Sequence, residues 1–203
     1  MKKRISMIGI TTCILYFVSV GAFLITKAEI ALTIWEFMTI LSAPVVLFVL
    51  LELSILVSIA PVYKKAMLAF MACTCALTSV THIVNITVTR ALISDGVDVP
   101  TYLQIGFWPS VEMAIDYLAW GFFTGLAFLC IGIAIKNKDR IERNIKITLL
   151  TCGILCLVGF FGTVFINENI WYVAPIGYGL GTMVICMQMM KFKDTKCLNK
   201  LNK

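Results

Sequence analysis

Apolar residues run along this chain in six long, nearly unbroken stretches. They cover about residues 5–26, 34–60, 66–89, 109–135, 147–166 and 170–190, with short polar segments between them. A helix needs about 20 apolar residues to cross roughly 30 Å of hydrocarbon, and each stretch is that long. A β-barrel would alternate apolar and polar positions in shorter segments, and these stretches do not alternate. The pattern predicts an all-α polytopic membrane protein, a bundle of six transmembrane helices. The first stretch follows "MKKR", as in a secretory signal, but it is longer than a signal's apolar core and has no A-x-A site. It reads as a retained span. Residues 1–203 form a single integral membrane domain, with 191–203 as a basic tail.

Composition agrees with the pattern. The chain is 60% hydrophobic and 14% charged, with a mean hydropathy of +0.95, against about 25% charged residues in soluble domains. Charge then sets the orientation. Fifteen of the 17 Lys and Arg residues fall on one side of the six spans; only Lys27 and Arg90 fall on the other. By the positive-inside rule both termini are cytoplasmic, and the expected location is the cell membrane. Topology accounts for the net charge of +6, so no nucleic-acid partner is implied. The lipid bilayer is the one partner the composition demands. A small solute or ion, a membrane-protein partner or a second copy are further candidates.

The eight cysteines sit toward the cytoplasmic side and read as small apolar packing residues, without disulfides. No metal site and no cofactor are expected. Gly121/Gly125 and Gly177/Gly181 have the G-x-x-x-G spacing of closely packed helices. Pro44 should kink the second span or free a carbonyl. The segment 136–146, "KNKDRIERNIK", reads as a charged turn.

Polar groups inside the apolar stretches are the candidate chemistry, because lipid penalises them unless they are paired. In "WPSVEMAIDYLAWG", Pro109 suits the first helical position and Glu112 the positive end of the helix dipole. Asp116 lies deeper, at the hydrocarbon edge. On the third span Cys75, Thr78, His82, Asn85 and Thr89 share a stripe. His82, the only histidine, lies at the depth of Asp116, so the two should meet, with Asn85 and Arg90 above and Tyr117 nearby. Glu36 forms T-x-x-E with Thr33 and reads as a capping box at the start of the second span. Glu52 reads as a mid-bilayer acid, costing about 2.5–3.5 kcal/mol if ionised, and hence as a proton- or cation-binding group.

The functional expectation is an outward-facing polar pocket lined by His82, Asn85, Arg90, Glu112, Asp116 and Tyr117, with Glu52 below it, for binding or transport of a solute or ion. Trp35, Trp108 and Trp120 would give it an aromatic rim. One alternative is an intramembrane enzyme using the His, Asp and Glu groups. No H-E-x-x-H or G-x-S-x-G is present to support it. The other is an accessory or sensor protein acting through partner helices.

Overall fold

The computed structural model describes residues 1–192, so most of the basic tail, 193–203, lies outside the described residues. The structure is all-helical, with six helices long and apolar enough to cross a membrane: α1 Lys2–Thr26, α2 Glu29–Leu56, α3 Pro61–Ser94, α4 Val111–Ala134, α5 Arg140–Phe165 and α6 Glu168–Met190. Each helix packs on its neighbours in sequence, and α6 closes against α1. The result is an antiparallel ring. One end carries the loops rich in Lys and Arg and is called here the basic end. The long α3–α4 connection lies at the opposite end.

Helix starts follow local capping chemistry. Ser110 Oγ accepts from the Met113 amide at 3.2 Å, so α4 begins at Val111, and Pro109 stays outside it. Asp139 Oδ1 accepts from the Glu142 amide at 2.8 Å, and Glu142 Oε2 accepts from the Lys138 amide at 2.9 Å. This reciprocal cap carries "RIERNIK" into α5, where the sequence pattern had suggested a charged turn. α2 also differs from its apolar run. It starts at Glu29 and ends at Leu56, because residues 57–60 turn, with Ser58 at φ 51°. It continues unbroken through Pro44.

This shift corrects the depth of Glu52. It lies four residues before the end of α2, about one turn from the basic end, rather than at mid-span. It is buried. Thr74, on the neighbouring helix, bonds to the carbonyls of Phe70 and Ala119, at 3.2 and 3.1 Å.

Two kinds of seam hold the ring. Between α4, α5 and α6 the backbones approach through small residues. A Cβ on Gly121 would lie 2.6 Å from Phe160 Cβ, one on Gly159 would lie 2.6 Å from the Ala174 amide nitrogen, and one on Gly177 would lie 2.8 Å from the Cys152 carbonyl oxygen. Cys152 and Cys156 fill the gaps beside Gly181 and Gly177; the described cysteines are all free. Polar contacts tie the α3–α4 and α1–α6 seams. The α4 backbone takes a π-helical turn at Leu118–Phe123, in which the Thr124 amide reaches back to the Ala119 carbonyl. That carbonyl also accepts from Thr74 and Thr124, both at 3.1 Å. Tyr16 of α1 and Tyr178 of α6 join by their hydroxyls at 3.0 Å. Toward the basic end the interior is filled by Leu50, Met71, Phe128, Ile131 and Ile185, all fully buried. The outward faces are apolar and exposed, as at Ile8, Leu15, Val18, Phe37 and Phe48.

The small-residue seam is directly testable. Gly159→Leu should cost about 3 kcal/mol, because backbone of α6 blocks the new side chain; for a chain of this size that lowers the melting temperature by roughly 6–12 °C. Gly21→Leu, where nothing lies within 4 Å of the new Cβ, should move it by less than about 2 °C. Equal melting temperatures for the two variants in detergent would contradict this packing.

Candidate functional site

Near the end opposite the basic loops, α2, α3 and α4 bring eight polar side chains together: Thr33, Glu36, His82, Asn85, Thr89, Arg90, Glu112 and Asp116. The organising residue is Glu36, 1% exposed on α2. It does not cap α2, which starts at Glu29 after Ala28; Thr33 bonds within the helix, donating to the Glu29 carbonyl at 3.0 Å. One Glu36 oxygen accepts from the Asn85 amide and the other from the Arg90 guanidinium. Arg90 also donates to Thr33 Oγ1 at 2.7 Å, and its charge lies 4.0 Å from Glu29.

Backbone geometry explains how Asn85 and Arg90 reach one carboxylate. In a regular helix, residues five apart diverge around the axis. Here α3 becomes π-helical over Asn85–Thr89, and the Arg90 amide bonds to the Asn85 carbonyl. The wider turn stacks Arg90 over Asn85. It also directs Thr89 toward α4, where its hydroxyl donates to Glu112 Oε1 at 3.0 Å. Glu112 sits in the first turn of α4, as expected for a helix-dipole partner, and is buried.

His82 links this cluster to Asp116. Its Nδ1 is 3.7 Å from Glu36 Oε1, and its Nε2 is 3.4 Å from Asp116 Oδ1. The His82–Asp116 meeting inferred from depth is therefore present. Both contacts are within ion-pair reach, but neither is aligned as a hydrogen bond, so both ring nitrogens and Asp116 Oδ1 retain hydrogen-bonding capacity. A chain thus runs Arg90, Glu36, His82, Asp116, alternating basic and acidic groups across three helices.

His82 and Asp116 face a cavity of about 510 Å³. The mouth is set by Phe107 and Trp108 of the α3–α4 connection and by Glu168 and Trp171 at the start of α6; the floor includes Tyr16, Trp120 and Tyr178. The four tryptophans of the protein, Trp35, Trp108, Trp120 and Trp171, all line it. Their rings are packed in place: Trp120 lies 4.4 Å from Tyr178, Trp108 lies 5.4 Å from Tyr117 and Trp35 lies 5.5 Å from Phe23, between centroids. Trp120 is 3% exposed, and its Nε1 has no hydrogen-bond partner among the described residues.

Comparison of the chain with protein-family models, with curated proteins and with solved structures gave no match. The functional reading therefore rests on geometry.

Of the residues the sequence suggested, His82, Asp116 and Tyr117 line the cavity, and Trp35, Trp108 and Trp120 give it the expected aromatic wall. Asn85, Arg90 and Glu112 do not line it. They stand behind the wall, holding Glu36 and Thr89. Glu52 is on another part of the bundle, toward the basic end. Sequence reasoning missed Glu36, because T-x-x-E also occurs by chance inside a helix. It also missed Glu168, Trp171, Tyr16 and Tyr178, whose helices lie far away in sequence. Among the described residues, no three His, Cys, Asp or Glu groups come together as a metal site.

The Arg90–Glu36 pair should be structural. Breaking a buried pair leaves an uncompensated charge. Arg90→Ala should cost about 3 kcal/mol, at the low end for such pairs because the Arg90 side chain keeps 16% exposure. Adding Glu36→Gln to Arg90→Ala should recover part of that loss. A double variant no more stable than Arg90→Ala in thermal melts would show that Glu36 does not depend on the guanidinium.

Proposed function

We propose that this chain is a multi-pass protein of the cell membrane, with both termini cytoplasmic, and that it binds a small solute in a cavity opening outward. The membrane reading is supported by six apolar helices, by the exposed Ile, Val, Leu and Phe side chains around the ring, and by the fifteen-to-two division of basic residues. On that orientation the basic end faces the cytoplasm and the cavity faces outward.

The observation that carries the binding reading is the cavity itself. About 510 Å³ lies within the usual range for small-molecule sites, roughly 300–1,000 Å³. Its wall joins apolar rings to a few convergent polar groups, the usual composition of such sites. The packed apolar layer around Leu50, Met71, Phe128 and Ile131 separates it from the basic end. The arrangement suits capture of a solute from outside, as in a binding subunit or one state of a transporter, better than an open channel. Glu52 receives no role in this site.

A second reading, an intramembrane enzyme, draws on one observation: His82 lies between two carboxylates and faces the cavity. An enzyme would return a changed ligand. Mass spectrometry of a bound compound after incubation separates the two readings.

Two measurements test the proposal. Reporter fusions at Asp98 should be found outside and fusions at Asp139 inside; the reverse would place the cavity on the cytoplasmic side. Because every tryptophan lines the cavity, occupancy should change the intrinsic emission of the detergent-purified protein and raise its melting temperature together. Glu52→Gln should leave a bound compound's affinity within about twofold, since Glu52 is remote from the cavity. A larger loss would restore Glu52 to the site.

A further inference from the structure

Resting on the solute-binding reading, we infer that the cavity is built for a small organic cation, an ammonium held between aromatic faces and Asp116. The first ground is charge. No Lys or Arg lines the cavity, whereas Glu36, Asp116 and Glu168 do. Including the groups just behind and beside the wall, Glu29, Glu36, Glu112, Asp116 and Glu168 face Arg90, His82 and Lys27, which lies over the Phe23 ring. The site is acidic whether or not His82 carries a second proton. Walls of low dielectric constant concentrate such a field toward the opening, which draws cations and repels anions.

The second ground is which acid is free. Glu36 is spoken for by Arg90 and Asn85. Asp116 has only the misaligned His82 at 3.4 Å, its Oδ1 has no hydrogen-bond partner among the described residues, and it lines the cavity. It can therefore accept from a ligand N–H or oppose a quaternary charge.

The third ground is the wall. Trp35, Trp108, Trp120, Tyr16, Tyr117 and Tyr178 surround the space. Their faces attract a cation through the ring quadrupole, and tryptophan does so best. Such a wall selects the type of cation. A metal ion must exchange its hydration shell for a cage of oxygen ligands, and rings cannot supply one. An alkylammonium gives up its water more readily than a metal ion does, and its hydrocarbon surface is buried favourably against rings. The buried Trp120 Nε1, still without a partner, offers a donor to an oxygen elsewhere on the same ligand.

The test uses the purified full chain and three probes of matched shape: 3-phenylpropylammonium, 3-phenylpropan-1-ol and 3-phenylpropanoate. Each is titrated against tryptophan emission and melting temperature. The ammonium should bind about tenfold or more tightly than the alcohol, and the carboxylate weakest. Asp116→Asn, nearly the same in shape, should remove most of that preference while leaving the alcohol's affinity within about twofold. Glu168→Gln, at the exposed mouth, should weaken the ammonium by a smaller factor and guards against a folding defect in the first variant. If the alcohol or the carboxylate binds as tightly as the ammonium, the cation inference fails and the pocket reading stands. If the ammonium binds equally well to wild type, Asp116→Asn and Glu168→Gln, it sits elsewhere and the inference fails. If no probe changes emission or melting, both readings fall.

Discussion

A carboxylate sealed among helices must find positive charge and hydrogen-bond donors or lose the solvation it gave up. Glu36 is that carboxylate here, and much of the surrounding structure follows from satisfying it. It lies on α2, but its partners Asn85 and Arg90 lie on α3. The pair therefore fixes the rotation and height of these two helices against each other. His82 extends the constraint to α4 through Asp116, and the Thr89–Glu112 bond adds a second tie between α3 and α4. A chain of alternating charges costs less to bury than isolated ones, since each group partly replaces the water its neighbour has lost.

The same demand accounts for where the helices depart from regular geometry. Among the described residues three π-helical segments occur, at Asn85–Thr89, Leu118–Phe123 and Ile176–Leu180. Each lies beside the cavity or the charged cluster: the first carries Asn85 and Thr89, the second Trp120 and the third Tyr178. A π turn adds one residue per turn and rotates everything beyond it, at the cost of poorer hydrogen bonds. That cost is tolerated where side chains on both sides of the turn must reach one point. In α4 the displaced Ala119 carbonyl is taken up by Thr74 and Thr124, so no backbone group is stranded.

What could be read from the sequence was whatever depends on length, hydropathy and depth. The six helices, their count and the meeting of His82 with Asp116 all follow from apolar runs and from counting residues inward from a helix end. The G-x-x-x-G pairs also marked helices that pack closely, because a missing side chain acts locally. Glu36 was misread, since its role depends on Arg90, 54 residues away, and no local pattern carries that. Glu52 was misplaced because hydropathy does not register where a helix stops: "VSIA" is apolar and yet turns at Ser58. Asn85, Arg90 and Glu112 were found as polar groups but assigned to the wrong layer. The π turn that directs Asn85 and Arg90 behind the cavity wall has no signature in periodicity, and Glu112 is held there by Thr89 of that same turn.

The layered arrangement has a consequence for how a bound ligand could be felt by the protein. The α4–α5–α6 side of the ring is joined through glycines whose backbones already touch, so it can yield little. The α2–α3–α4 side is joined by charges that can exchange partners. Glu36 and Asp116 both line the cavity and contact His82, but Glu36 is also held by Arg90 and Asn85, whereas Asp116 Oδ1 keeps free hydrogen-bonding capacity. A positive ligand group placed on Asp116 competes with His82 for the same oxygens. On the proposed binding, His82 so weakened would be left with Glu36, whose other oxygen carries Arg90. A charge entering the cavity would thus be felt, contact by contact, at the pair that sets α2 against α3. Coupling of this kind needs no long-range rearrangement, only a ligand that interacts differently with the two arrangements of His82. On this reading the aromatic wall would hold a ligand, and the charged chain behind it would be the part of the structure able to respond.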